Sequence, residues 1–187
     1  MRFGATLDRF MHLNRQTPAL LWSFAYFFCL LSGYYVLRPV RDAMGASSEV
    51  EAVFPSAMIA FFAAHGIPLK DIVLQVLATC TFLFILMAQP LYGALVSKFP
   101  RRVFLPVLFG FFIACLFVFY ALFHSNISGR GMAFFVWVTV FNVFSVSVFW
   151  SFMADVFNSH EARRYYGYIG AAGTVGAFTG PILTRTL

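Results

Sequence analysis

The chain has 187 residues, 61% of them hydrophobic and only 11% charged, with a formal net charge of +6. A soluble domain runs nearer about 45–50% apolar and about 25% charged, so an ordinary soluble domain is excluded. The basic excess is not the footprint of a nucleic-acid binder either, because the arginines and lysines fall in short clusters between long apolar runs, where they set membrane orientation.

The chain reads as an all-α, polytopic bundle of transmembrane helices. A helix rises about 1.5 Å per residue and the hydrocarbon layer is about 30 Å thick, so a span takes about 20 apolar residues. The expected spans are 19–42, 72–97, 103–123, 132–154 and 165–187. The first contains the charge-free run Ala19 to Leu37, the third is rich in phenylalanine, and the fifth is rich in glycine and other small residues. The runs are too long and too seldom alternating for barrel strands. Residues 1–18 form a cytoplasmic N-terminal segment. It resembles a signal-peptide n-region, but the following apolar run is too long, ends in Arg38 and lacks a small-residue cleavage site, so it is expected to be a retained span. Segment 53–69 is interrupted by Pro55, His65, Gly66 and Pro68, and reads as an interfacial or re-entrant helix.

Five spans put Arg2, Arg9, Arg15, Lys98, Arg101, Arg102, Arg163 and Arg164 on one side of the membrane. Fewer basic residues lie on the other side, namely Arg38, Arg41, Lys70, Arg130 and Arg185, so the N-terminus is expected in the cytoplasm.

Cys29, Cys80 and Cys115 lie singly within apolar runs, and His12, His65, His124 and His160 form no i, i+4 pair. Neither a disulfide framework nor a metal site is expected, and no cofactor is implied. With no nucleophile elbow and no phosphate-cradling loop, the chain is not expected to be an enzyme.

The first charged cluster is Arg38-Pro39-Val40-Arg41-Asp42. One reading ends the helix at Pro39 and lets both arginines snorkel to the interface. The other continues the helix and turns the arginines toward a central cavity, where a guanidinium is costly and is kept for a pathway. Asp42, four residues after Arg38, can pair with one arginine. That leaves one positive charge for an anionic solute, whose carboxylate or phosphate matches the guanidinium fork. Substrate contact is therefore assigned to Arg38 and Arg41, with Asp42 as their partner.

The second cluster, Gly93 to Arg102, is a short basic loop that the positive-inside rule alone would explain. It also resembles the second-to-third loop signature of the major facilitator superfamily. Gly93, Leu95, Lys98, Arg101 and Arg102 match, whereas Ser97 stands where Asp is usual and Pro100 where the second Gly is usual. Asp155, Glu161, Arg163 and Arg164, between the fourth and fifth spans, have the mixed sign of a solvated turn and also resemble the facilitator pattern. In the last span Gly170, Gly173, Gly176 and Gly180 fall in one sector of about 120° at about 100° per residue. Gly176 and Gly180 make a G-x-x-x-G pair, and Gly180-Pro181 resembles the fifth-span signature of facilitator antiporters. Such a stripe speaks for helix packing before transport.

Tyr34 to Asp42 and Glu161 to Tyr166 resemble more closely the nucleotide (ATP/ADP) translocases and their bacterial homologues, in which basic residues of the first span help bind phosphates. The resemblance implies a secondary transporter of about twelve spans in two pseudo-symmetric halves, with its site near the midplane. It implies nucleotide or other anionic solutes, a bacterial inner (plasma) membrane location, and gating roles for Gly93, Lys98, Arg101, Arg102, Asp155, Glu161, Arg163 and Arg164. The chain has length for less than one facilitator half, so its expected partners are the bilayer, a small anionic solute, and a missing C-terminal half or another membrane subunit. The alternative is a truncated or accessory helical membrane protein without transport of its own.

The orientation is testable by cysteine accessibility in a background freed of Cys29, Cys80 and Cys115. A Ser125→Cys variant should react with an impermeant maleimide on intact cells, and Ser97→Cys only after permeabilisation. Labelling of Ser97→Cys from outside contradicts the orientation.

Overall fold

The computed structural model describes residues 3–47, 49–125 and 127–186, with side chains from 18 onward except 48, 101, 102 and 126. The described residues are helical, without strands. α1 is Phe3–Gly45, α2 Val50–Val53, α3 Ser56–Ala64, α4 Val73–Lys98, α5 Arg101–Phe123, α6 Arg130–Val156 and α7 Ser159–Thr186, with a 3₁₀ turn at Leu69–Asp71. Four of these are long and apolar enough to cross a membrane: Pro18–Gly45 of α1, α4, Val103–Phe123 of α5, and α6. This is the helix complement of an integral membrane protein. α7 has 28 residues, enough length to cross, but glycine, threonine and the charged first turn dilute its apolarity, and it is not among the four.

α1 differs from the expected segment in both directions. Its helix begins at Phe3, well before the apolar run, and continues through Pro39 to Gly45. Pro90, Pro106 and Pro181 also lie inside helices. A proline removes one N–H from the ladder, but leaving the helix in hydrocarbon would strand several backbone groups at several kcal/mol each, so helix wins. The short α3 is different. Its nine residues cover about 14 Å, about half the hydrocarbon layer. It stops at His65-Gly66, where Gly66 takes φ 68°. The Ile67 N–H bonds the Phe62 carbonyl and the Gly66 N–H bonds the Ala63 carbonyl, the two bonds of a Schellman stop.

The chain forms two compact units, residues 1–36 with 145–187, and residues 37–144. In the first unit α7 lies against α1 through its glycines. A Cβ added at Gly176 would stand 2.7 Å from the Phe28 carbonyl oxygen, one at Gly180 2.6 Å from Tyr35 Cβ, and one at Gly173 2.6 Å from the end of Leu31. Gly170 has open space at the same position. Ser32 and Thr179 share a hydroxyl hydrogen bond of 3.0 Å, and the Thr184 hydroxyl donates to the Val36 carbonyl at 3.3 Å. The glycines allow the close approach, and the hydroxyls gain partners that lipid could not supply. Behind them Phe27 stacks on Phe149 at 4.4 Å, and Ile169, Ala172 and Phe149 are fully buried.

In the second unit Val53, Phe54, Leu69, Val73, Leu77 and Phe135 form one buried cluster, which anchors α2 and the 3₁₀ turn to α4 and α6. Gly129, at φ 84°, turns the chain into α6 where an added Cβ would meet Pro55 at 3.0 Å. Phe112, Val140 and Phe144 form a further buried cluster, with Tyr92 stacked on Phe144 at 4.7 Å. α4 and α5 also expose Phe82, Met87, Phe117 and Val118, the pattern of a lipid-facing surface.

The packing makes a paired prediction. Gly176→Ala must push α7 off the α1 backbone and should cost about 1–3 kcal/mol in a detergent unfolding assay. Gly170→Ala meets nothing and should be neutral or stabilising, by up to about 1 kcal/mol. Equal effects at the two positions would contradict the interface.

Candidate functional site

The helix that continues past Pro39 carries Arg38, Arg41 and Asp42 on its last turns. Asp42 receives both arginines. Arg41 donates to Oδ1 from Nε at 3.0 Å and from Nη2 at 2.7 Å, and Arg38 Nε lies 3.5 Å from Oδ2. The spacing pointed to one partner for Asp42. The second arises because the Arg41 side chain folds back onto the adjacent carboxylate. One carboxylate thus holds two guanidinia side by side.

The two arginines differ in environment. Arg38 is 44% exposed, whereas Arg41 is 16% exposed and sits 5.4 Å from the centre of the Phe135 ring. Phe135 is itself buried in the cluster that joins α4 to α6, and an added Cβ on Gly45 would stand 3.2 Å from the same ring. A snorkelling arginine extends its head group into water. Arg41 instead packs over an aromatic face, which favours the cation in a partly desolvated place. Phe135 could not be found from the sequence, since nothing local links positions 41 and 135.

The loop residues sit apart from this group in the chain. α4 ends at Lys98, Phe99 and Pro100 form the connection, and α5 starts at Arg101. Gly93 and Lys98 are exposed, and nothing approaches the position of a Cβ on Gly93. The side chains of Arg101 and Arg102 lie outside the described residues.

At the other connection Asp155, Arg163 and Arg164 are exposed, and the Arg164 guanidinium lies 5.8 Å from the Tyr165 ring centre. Glu161 has a local structural task. Asn158 Oδ1 accepts the N–H groups of His160 and Glu161 at 3.2 and 3.0 Å, while Glu161 Oε2 accepts the Asn158 N–H at 3.1 Å. This is a reciprocal cap at the start of α7. The signal was in the sequence, an Asn three residues before a Glu. Of the packing residues, Gly173, Gly176 and Gly180 meet α1, Gly170 does not, and Pro181 is exposed within α7.

A polar cavity of about 520 Å³ opens beside the α1–α2 connection, lined in part by Glu49, Glu51, Ser128 and Arg130. Arg38, Arg41 and Asp42 are not in its lining. No group of three or more potential metal ligands occurs among the described residues. No protein-family model, curated protein or solved structure matches the chain.

The cap separates two roles for Glu161. Asn158→Ala should cost about 1 kcal/mol of stability, and Glu161→Ala should lose the return bond, while Glu161→Gln keeps an acceptor and should stay near the parent. Thermal unfolding of the three variants checks this. Asn158→Ala as stable as the parent would remove the cap as a structural element.

Proposed function

We propose that the chain works as part of a secondary membrane transporter of the facilitator type, moving a small anionic solute by alternating access. Nucleotide exchange is the narrower form of this reading. The observation that carries it is Arg41, a guanidinium only 16% exposed that shares Asp42 with Arg38. Charge placed in apolar surroundings is costly and is usually kept for a pathway. The planar fork of arginine suits phosphate or carboxylate oxygens. Asp42 holds the two guanidinia together against their mutual repulsion.

In this reading α7 is a fifth span, held to α1 by its glycines, and the N-terminus lies in the cytoplasm of a bacterial inner membrane. Lys98, Arg101, Arg102, Asp155, Arg163 and Arg164 act at the membrane surface during the conformational change, not in solute contact. An accessory membrane subunit without transport of its own is the competing reading, and the same experiment separates the two.

The test is uptake of labelled nucleotide by proteoliposomes carrying the protein expressed from its full reading frame, with a neutral sugar as control. Arg41→Lys should weaken nucleotide uptake and Arg41→Ala should weaken it further. A lost charge-assisted hydrogen bond costs about 1.5–3 kcal/mol, roughly 10- to 150-fold in affinity. Uptake unchanged in both Arg38→Ala and Arg41→Ala would remove these residues from the site. No uptake of any anion by the parent would favour the accessory subunit.

A further inference from the structure

Within the second unit, a cavity of about 530 Å³ runs along the groove between α4 and α5, backed by Val140 and Phe144 of α6. Its walls are apolar and aromatic, and Phe84, Leu91, Val107 and Phe111 on its lining are all exposed. One end lies at the α4–α5 connection, at Leu95, Phe99 and Val103. From there it follows α4 back to Phe84 and α5 forward to Phe112. At about 1.5 Å per residue these distances are about 22 and 14 Å, against about 15 Å for one leaflet of a hydrocarbon layer about 30 Å thick.

The connection at this end of the groove is basic in sequence. Lys98, next to the lining residue Phe99, is exposed on the last turn of α4, and Arg101 and Arg102 begin α5 three residues later. We infer that this groove is a binding site for an anionic phospholipid, its acyl chain lying between α4 and α5 and its phosphate at Lys98. The two ends of such a lipid match the two ends of the groove. A hydrocarbon chain fills an apolar slot that runs at least about a leaflet along α4, and a phosphate lies beside Lys98, as in basic recesses between membrane helices elsewhere. A second copy of the chain would fill the apolar slot, but its few carboxylates match the basic end less directly than a lipid phosphate does. The site is independent of any transport role for Arg38 and Arg41.

Trp137 reports on the groove, because its ring lies 6.0 Å from the lining residue Phe112. With Trp22 and Trp150 replaced by phenylalanine, Trp137 fluorescence is measured in bilayers doped with brominated phosphatidylglycerol or brominated phosphatidylcholine at equal mole fraction. Both lipids quench from the general annulus, and a site shows as excess quenching by the anionic lipid. The fitted preference for phosphatidylglycerol should fall about five-fold in Lys98→Gln, the share of one basic residue. Val107→Phe, which narrows the slot with Lys98 intact, should lower quenching by both lipids. Equal quenching by the two lipids in the parent overturns the proposal, as does a preference unchanged in Lys98→Gln. Quenching by neither lipid, together with cross-linking of a Leu91→Cys variant to its own copy, would assign the groove to self-association and overturn it too.

Discussion

Hydrocarbon offers no hydrogen-bond partner to a backbone N–H or carbonyl, and much of this structure follows from that one constraint. It keeps α1 helical through Pro39, and with it places Arg38, Arg41 and Asp42 on a continuous helix instead of in a loop. It keeps Pro90 and Pro106 inside helices that water would more readily let break. It also gives value to hydroxyls that a soluble protein would leave to solvent, as with Ser32 and Thr179 between α1 and α7.

α1 accordingly carries two unlike surfaces. Up to Val36 it presents Phe28, Ser32 and Tyr35 to the glycines of α7, a contact of small residues and hydroxyls where backbones come close. From Leu37 onward it presents Arg41 to Phe135 and Gly45 to the same ring, a contact of charge, aromatic face and tight turn. The first surface is well suited to a fixed joint. The second gathers two guanidinium forks beside an aromatic face, one of them little exposed, and that geometry is the physical basis for proposing an anion there.

The long apolar runs were legible because membrane length and composition are properties of a single segment. The ends were less so. α1 runs back to Phe3 and on through Pro39 to Gly45, whereas His65-Gly66 ends α3 with a left-handed glycine that the sequence does advertise. Sector arithmetic grouped Gly170 with Gly173, Gly176 and Gly180, yet Gly170 faces open space. Gly170 stands at the edge of that sector, about 60° round the helix from Gly173 and about 120° from Gly176 at about 100° per residue, so a shared sector did not make a shared contact. The i, i+4 pairing of Arg38 with Asp42 could be read from spacing, but the Arg41 bonds and the Phe135 ring could not, since they depend on side-chain folding and on a contact distant in sequence. The Asn158–Glu161 cap gave a clear local signal that a charge-based reading of Glu161 passed over.

The central claim, that the Arg38–Arg41–Asp42 group takes an anion, is tested most directly by equilibrium binding, separate from transport. Thermal unfolding of the purified protein is followed with ADP, inorganic phosphate and uncharged adenosine. A ligand at about 100 times its Kd stabilises by about 2.7 kcal/mol, so ADP should raise the Tm of the parent by several degrees and leave Arg41→Ala unmoved, with adenosine silent in both. An equal rise with adenosine, or a full ADP response in Arg41→Ala, would contradict the account.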